Sequence, residues 1–237
     1  MRYAIYFAPA ADSPLTATAG EWLGRDAFTG DLLDTPPSLS LSREQWHELV
    51  AEPQRYGFHA TLKAPFELRE GRTEAELIAA FERFARSVQP FDLPRLILGQ
   101  LGPFFALVPY ALHPPLQAFA ASVVEFFEPF RAPLSDADVA RRRPERLTEA
   151  QRNNLAAWGY PYVMDEFRFH MTLTGPVESE FAPQVRDELE QRFSPHLDAP
   201  LQIDGLGLFI ETKRGEPFTI HRWQPLGMSA PDRKILP

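Results

Sequence analysis

Arg55-Tyr56-Gly57-Phe58-His59-Ala60-Thr61-Leu62-Lys63 and, in the second half of the chain, Glu166-Phe167-Arg168-Phe169-His170-Met171-Thr172-Leu173-Thr174 carry one short phrase twice, Phe-His-x-Thr-Leu. Both copies are rich in residue types that favour strands, where successive side chains point to opposite faces. His59, Thr61 and Lys63 are therefore expected on one face, with Phe58, Ala60 and Leu62 on the other. In the second copy Arg168, His170, Thr172 and Thr174 share a face opposite Phe167, Phe169, Met171 and Leu173. The apolar faces suit packing against helices, which leaves a polar, histidine-bearing face to be explained by chemistry.

The segments after each copy also repeat. Thr73-Glu74-Ala75-Glu76 has capping-box spacing and opens a helix whose apolar stripe is Leu77, Ile78, Phe81, Phe84, Ala85 and Val88. Two apolar runs, 95–101 and 104–110, joined by Gly102-Pro103, then read as paired strands. After the second copy a helix over 180–193 is followed by strands over 200–211 and 217–225, and Ile203-Asp204-Gly205-Leu206-Gly207 echoes Leu98-Gly99-Gln100-Leu101-Gly102. Two long copies indicate a duplication rather than a repeat array. The expected fold class is α+β: a duplicated two-lobe fold, with two antiparallel sheets and outer helices facing each other across a central cleft. The chain reads as a single bilobal domain over 1–237. Its lobe-forming repeats are about 54–112 and 165–226, with 1–53 and 113–164 packing on them.

The remaining segments fit this plan. Residues 2–8 read as a strand with Tyr3, Ile5 and Phe7 on one face. Ser13-Pro14 opens a helix that Gly24 ends, 24–41 reads as loop, and Ser42 with Gln45 caps a helix expected to stop near Ala51, before Pro53. His113-Pro114-Pro115 precedes an apolar helix over 116–127. The insertion 131–164 holds a capping box at Thr148 to Gln151, the run Arg141-Arg142-Arg143 and the aromatic group Trp158-Gly159-Tyr160-Pro161-Tyr162, and is expected to form two short helices. The arginine run has two readings, a solvated helix face or a site where one or two of Arg141, Arg142 and Arg143, with Arg142 and Arg143 the chosen candidates, bind a substrate phosphate.

Composition bounds the function. The 237 residues, 44% hydrophobic, suffice for a sizeable core. A net charge of -8 argues against a protein that depends on nonspecific attraction to nucleic acid. With no cysteine, thiolate chemistry and disulfides are excluded. No run reaches transmembrane length and the start lacks a signal-peptide pattern, so a cytoplasmic location and no membrane partner are expected.

Two His-x-Thr-hydrophobic strands, in a duplicated strand-helix-strand-strand plan covering the whole chain, resemble the two-histidine phosphoesterase superfamily, LigT-like proteins included. More narrowly, Arg55 to Lys63 and the stretch from Trp158 to Pro176 resemble a bacterial branch labelled putative phosphonate metabolism protein. The resemblance implies His59, Thr61, His170 and Thr172 as the catalytic set. Residue chemistry agrees. Opening a cyclic phosphodiester takes a base to accept a proton from water and an acid to protonate the leaving alkoxide, and two imidazoles near neutral pH supply both. Thr61 and Thr172 would donate to the non-bridging oxygens while Lys63 or Arg168 balance their charge. Thr174, Tyr56 and Tyr162 join Arg142 and Arg143 as substrate-binding candidates; Tyr56, Tyr160 and Tyr162 are expected either to line the cleft and stack on a sugar or base or to pack structurally.

The scheme needs no metal and no cofactor. A small phosphorylated substrate, a ribose or nucleotide cyclic phosphate, is the expected partner of a monomer. Three alternatives stand beside it: a phosphodiesterase or 2'-5' ligase acting on RNA ends, a metallohydrolase using both histidines and a carboxylate, and a non-catalytic phosphate or nucleotide sensor.

Overall fold

The computed structural model describes residues 1–33 and 41–227. In chain order the elements are β1 (Arg2–Phe7), α1 (Pro14–Leu23), α2 (Arg43–Tyr56), β2 (Ala60–Phe66), α3 (Glu74–Ser87), β3 (Phe91–Leu93), β4 (Leu96–Leu101) and β5 (Phe104–Pro109). They continue with α4 (Pro114–Phe127), α5 (Asp136–Arg141), α6 (Glu149–Trp158), β6 (Met171–Thr172), α7 (Ala182–Phe193), β7 (Leu201–Ile203), β8 (Gly205–Glu211) and β9 (Thr219–Pro225). The loop expected over 24–41 falls partly on residues 34–40, outside the described residues.

Local signals act where the sequence places them. Ser42, Thr73 and Thr148 each accept from the backbone N–H three residues on, and Gln45, Glu76 and Gln151 reach back to close three capping boxes. Gly24 ends α1 with φ 69°, the left-handed turn that glycine takes without strain. One helix end differs from expectation: α2 continues through Pro53 to Tyr56 rather than stopping near Ala51. Proline has no N–H to give the carbonyl four residues back. That carbonyl, Leu49 O, instead accepts the Gly175 N–H at 2.6 Å, so tertiary contact supplies the bond that proline removes.

Seven strands form one antiparallel sheet in the order β4-β5-β6-β2-β1-β8-β9, and β3 pairs with β7 in a second, two-stranded sheet. The duplication is interleaved. The hairpin β4-β5 of the first half lies beside β6, the motif strand of the second, while the hairpin β8-β9 of the second half reaches β2 of the first through β1. The two motif strands meet at the centre through the pair Ala60 and Met171. The strand expected over 200–211 is divided at Asp204 into β7 and β8, which serve different sheets.

One face of the sheet carries the main core. Tyr3, Ile5 and Phe7 of β1, Phe58, Ala60 and Leu62 around β2, and Phe169, Met171 and Leu173 around β6 pack there with Phe81, Phe84, Val123 and Phe127 of α3 and α4. Burying such side chains contributes about 1.5–3 kcal/mol each. The other face holds a smaller cluster, Ala4, Tyr6, Ala8, Phe209 and Phe218, beside an open cavity. Among the described residues no helix is long and apolar enough to cross a membrane.

Candidate active site

The register at the sheet centre places the motif residues. Carried one residue either way from Ala60 and Met171, it sets His59 opposite Thr172 and Thr61 opposite His170 on the face away from the main core. The histidines are then diagonal neighbours, with about 7–8 Å between them by strand geometry. Strand β6 ends after Thr172 because the next two N–H groups, of Leu173 and Thr174, both donate to Phe105 O, at 2.9 and 3.3 Å.

Each imidazole is oriented by its own backbone. His59 Nδ1 lies 2.9 Å from Gly57 O, and His170 Nδ1 lies 2.7 Å from Arg168 O. A carbonyl only accepts, so Nδ1 carries the proton in both rings and the lone pair is left on Nε2. The anchoring carbonyl belongs in each case to the residue two positions earlier, a second level at which the duplication is preserved. Gly57 adopts φ 74°, and a Cβ there would come within 2.5 Å of Ala27 Cβ, so the turn that presents the first anchor calls for glycine.

His59 lies face to face with Tyr6, ring centroids 4.0 Å apart and planes 22° from parallel. Its Nε2 is 3.2 Å from Thr61 Oγ1, which donates to it in the neutral ring. Burial pushes the His59 pKa down to about 4; the Gly57 hydrogen bond works against this, and His170 lowers it further. Burial also lowers His170, against the opposing hydrogen bond to Arg168. Both rings are therefore neutral bases at neutral pH in the empty site.

A cavity of about 640 Å³ opens over this face. His59, Thr61, Thr172 and Thr174 line it; His170 stands just outside the lining set, its ring centroid 6.0 Å from that of Phe104, which does line it. Thr174 is buried, and its hydroxyl accepts the Phe105 N–H at 3.0 Å. Tyr56 forms a wall, stacked on Phe218 at 5.3 Å. From the insertion 131–164 come Arg141, Arg142 and Tyr160, with the Arg142 guanidinium 4.9 Å over the Tyr160 ring.

Four of the eleven candidates lie elsewhere. Lys63 is buried on the opposite face, where its ammonium donates to Glu128 at 2.8 Å and to Val124 O at 3.0 Å. The cause is a bulge: Tyr6 pairs with Thr61 but its neighbour Ile5 pairs with Lys63, so β2 spends one extra residue and alternation resumes inverted. The Arg168 side chain is exposed and does not line the cavity; its carbonyl is the part used. Arg143 is exposed in a left-handed conformation with φ 48°, outside the lining set. Tyr162 is exposed and meets Tyr160 edge-on at 5.5 Å; of the three tyrosines expected at the cleft, Tyr56 and Tyr160 line the cavity and Tyr162 does not.

Sequence reading passed over several lining residues. Tyr6 and Arg2 come from β1, Arg55 from the end of α2, and Arg214 from the turn between β8 and β9. Glu211, fully buried, joins Arg2 at 2.5 Å and also pairs with Arg55, and accepts the Gly215 N–H at 3.0 Å. Burial opposes its charge, but these partners outweigh that and hold its pKa below the usual carboxylate value. Arg214 reaches Asp138 at 2.7 Å and Glu67 at 2.8 Å, and its hydrogen bond is the main reason the Asp138 pKa falls to about 2. No local pattern marks these residues; long-range packing alone brings them together. Among the described residues, no group of three or more His, Asp or Glu is arranged to hold a metal ion.

The family model described as "Protein of unknown function (DUF1045)" matches residues 61–219. The chain belongs to the DUF1045 family. The matched region takes in Thr61, His170 and Thr172, with His59 two residues before its start. Two curated relatives are named "Ribose 1,5-bisphosphate phosphokinase PhnN". The one from Janthinobacterium sp. (strain Marseille) is 35% identical over 100% of this chain and 53% of its own length. The one from Laribacter hongkongensis (strain HLHK9) is 33% identical over 94% of this chain and 51% of its own. The DUF1045 chain thus spans about half the length of the curated relatives it matches. Among solved structures it is similar to the crystal structure of TT0787 from Thermus thermophilus, with TM-score 0.46, 17% identity, and coverage of 96% of this chain and 98% of that one.

Proposed function

We propose that this chain is a metal-independent phosphodiesterase that opens a small cyclic phosphate carried on a ribose, with His59 and His170 as the acid-base pair. The observation that carries the reading is the matched tethering of two imidazoles. Each Nδ1–H is held by the carbonyl two residues earlier and each Nε2 is freed, with a threonine hydroxyl opposite, at the centre of one sheet. Water attacks phosphorus as one neutral Nε2 takes its proton; the bond from phosphorus to the ribose oxygen breaks as the other ring, protonated at Nε2, hands that oxygen a proton. A phosphate monoester and a free hydroxyl result.

Both rings are neutral in the empty site, so the acid gains its proton when the anionic substrate arrives, since a nearby negative charge raises an imidazole pKa. Thr61 turns its hydroxyl from the His59 ring to a non-bridging oxygen, and Thr172 donates to the other.

The relatives' name fits this substrate class. Opening a ribose 1,2-cyclic phosphate at the 2-oxygen leaves a phosphate on carbon 1, the arrangement in a ribose 1,5-bisphosphate. The present chain has no G-x-x-x-x-G-K-[ST] phosphate loop. We assign the kinase named in the relatives to the half of those proteins outside the match, with the ring-opening step in this half.

Phosphorus NMR of purified protein with EDTA, over ribose 1,2-cyclic phosphates, 2',3'-cyclic nucleotides and RNA ending in a 2',3'-cyclic phosphate, tests the reading. Chelator-resistant conversion of the ribose 1,2-cyclic phosphates is the expected result. Turnover confined to RNA ends would replace it with the RNA-processing activity, and turnover of nothing would leave a binding protein.

A further inference from the structure

The reacting phosphate leaves most of the cavity's positive charge unused. Among the described residues, five arginines line the cavity: Arg2, Arg55, Arg141, Arg142 and Arg214. Four are held by carboxylates: Arg2 and Arg55 share Glu211, Arg141 and Arg214 share Asp138, and Arg214 also takes Glu67. Arg142 has no carboxylate partner and no side-chain hydrogen bond among the described residues; only the Tyr160 ring supports it. A cation held by an aromatic face and partly shielded from water keeps its hydrogen-bonding edge for a ligand.

The placement of these cations is specific. A side cavity of about 240 Å³ adjoins the main one. The residues common to both linings are Arg2, Arg141, Arg142, Arg214 and Pro65. Four arginines therefore ring the passage between the two cavities in a chain whose net charge is -8. Neither histidine and neither motif threonine lines the side cavity, so the ring is separate from the reacting centre.

We infer that this junction, with Arg142 as its leading ligand, holds a second phosphate group of the substrate, remote from the cyclic phosphate that reacts. The inference rests on the phosphodiesterase reading and names its substrate class: a sugar cyclic phosphate that also carries a phosphomonoester. The monoester dianion takes the free fork of Arg142 and the outward N–H groups of Arg2 and Arg214, whose other donors stay on their carboxylates.

The test compares ribose 1,2-cyclic phosphate with and without a 5-phosphate on wild type, Arg142→Ala and Arg142→Lys, alongside calorimetric titration with ribose 5-phosphate. Wild type is expected to favour the 5-phosphorylated substrate. Arg142→Ala should lose about 10- to 100-fold in kcat/KM on that substrate beyond any loss on the other, mainly through KM, with Arg142→Lys recovering part of it. Equal turnover of both substrates by wild type, or equal losses on both in Arg142→Ala, overturns the inference. If no cyclic phosphate is turned over at all, the diesterase reading fails and titration decides the subsite. Ribose 5-phosphate binding weakened tenfold or more in Arg142→Ala sustains it; equal binding refutes it.

Discussion

Each of the two imidazoles donates Nδ1–H to a carbonyl two residues back, and burial lowers both pKa values, His59 to about 4. This sets the sign of the pH dependence. The reaction needs one neutral and one protonated ring, and kcat/KM reports the empty enzyme, so kcat/KM should peak below pH 6.5 and fall as pH rises. The kcat profile, which reports the complex with its anionic substrate, should peak at higher pH. Steady-state rates from pH 4 to 9 check both; a kcat/KM maximum above pH 7 would contradict the assignment. Stability has the same origin. Because the folded His59 pKa lies below the unfolded value, the unfolded chain takes the proton first, and stability is lost as pH falls from about 6.5 towards 4. His170 and His196 share this loss, so His59→Asn should flatten only part of the decline in melting temperature over that window. At this scale the sequence was informative about the histidines and threonines, because a two-residue period fixes a shared face. It was silent on Tyr6, which meets His59 only through the pairing of β1 with β2.

Among the elements, β2 decides how far strand alternation can be trusted. It holds for His59 and Thr61 and fails at Lys63, where the bulge opposite Ile5 and Tyr6 turns the ammonium to α4 and Glu128. Lys63→Met is accordingly expected to leave kcat/KM within about threefold while lowering stability by about 1–3 kcal/mol through the lost charge-assisted bonds. Urea unfolding and steady-state kinetics on one preparation measure both; a loss of activity of thirtyfold or more with unchanged stability would return Lys63 to the site. Capping boxes at Ser42, Thr73 and Thr148 were legible because every group involved lies within three residues. The passage of α2 through Pro53 was not, since the donor that satisfies Leu49 O is Gly175, far along the chain. Lys63 and Pro53 thus mark the same boundary between local pattern and tertiary contact.

For the molecule as a whole, the α+β class and the antiparallel sheets followed from the repeated phrase and the helix and hairpin after each copy. The interleaving did not follow, because pairing a hairpin with the other half's motif strand leaves no mark on either segment. That exchange brings β2 and β6 together at the sheet centre, where His59 and His170 become diagonal neighbours. It also explains why the arginines come from both ends of the chain: Arg2 and Arg55 meet Glu211, and Arg214 meets Asp138, only once the sheet has closed. The central claim, that two histidines act as one acid-base unit, is tested most directly by rates of ribose 1,2-cyclic phosphate hydrolysis in EDTA for wild type, His59→Ala, His170→Ala and the double variant. The account predicts a loss of two orders of magnitude or more in either single variant and little further loss in the double, as for groups that act together. Near-wild-type activity in either single variant, or losses that multiply in the double, would contradict it.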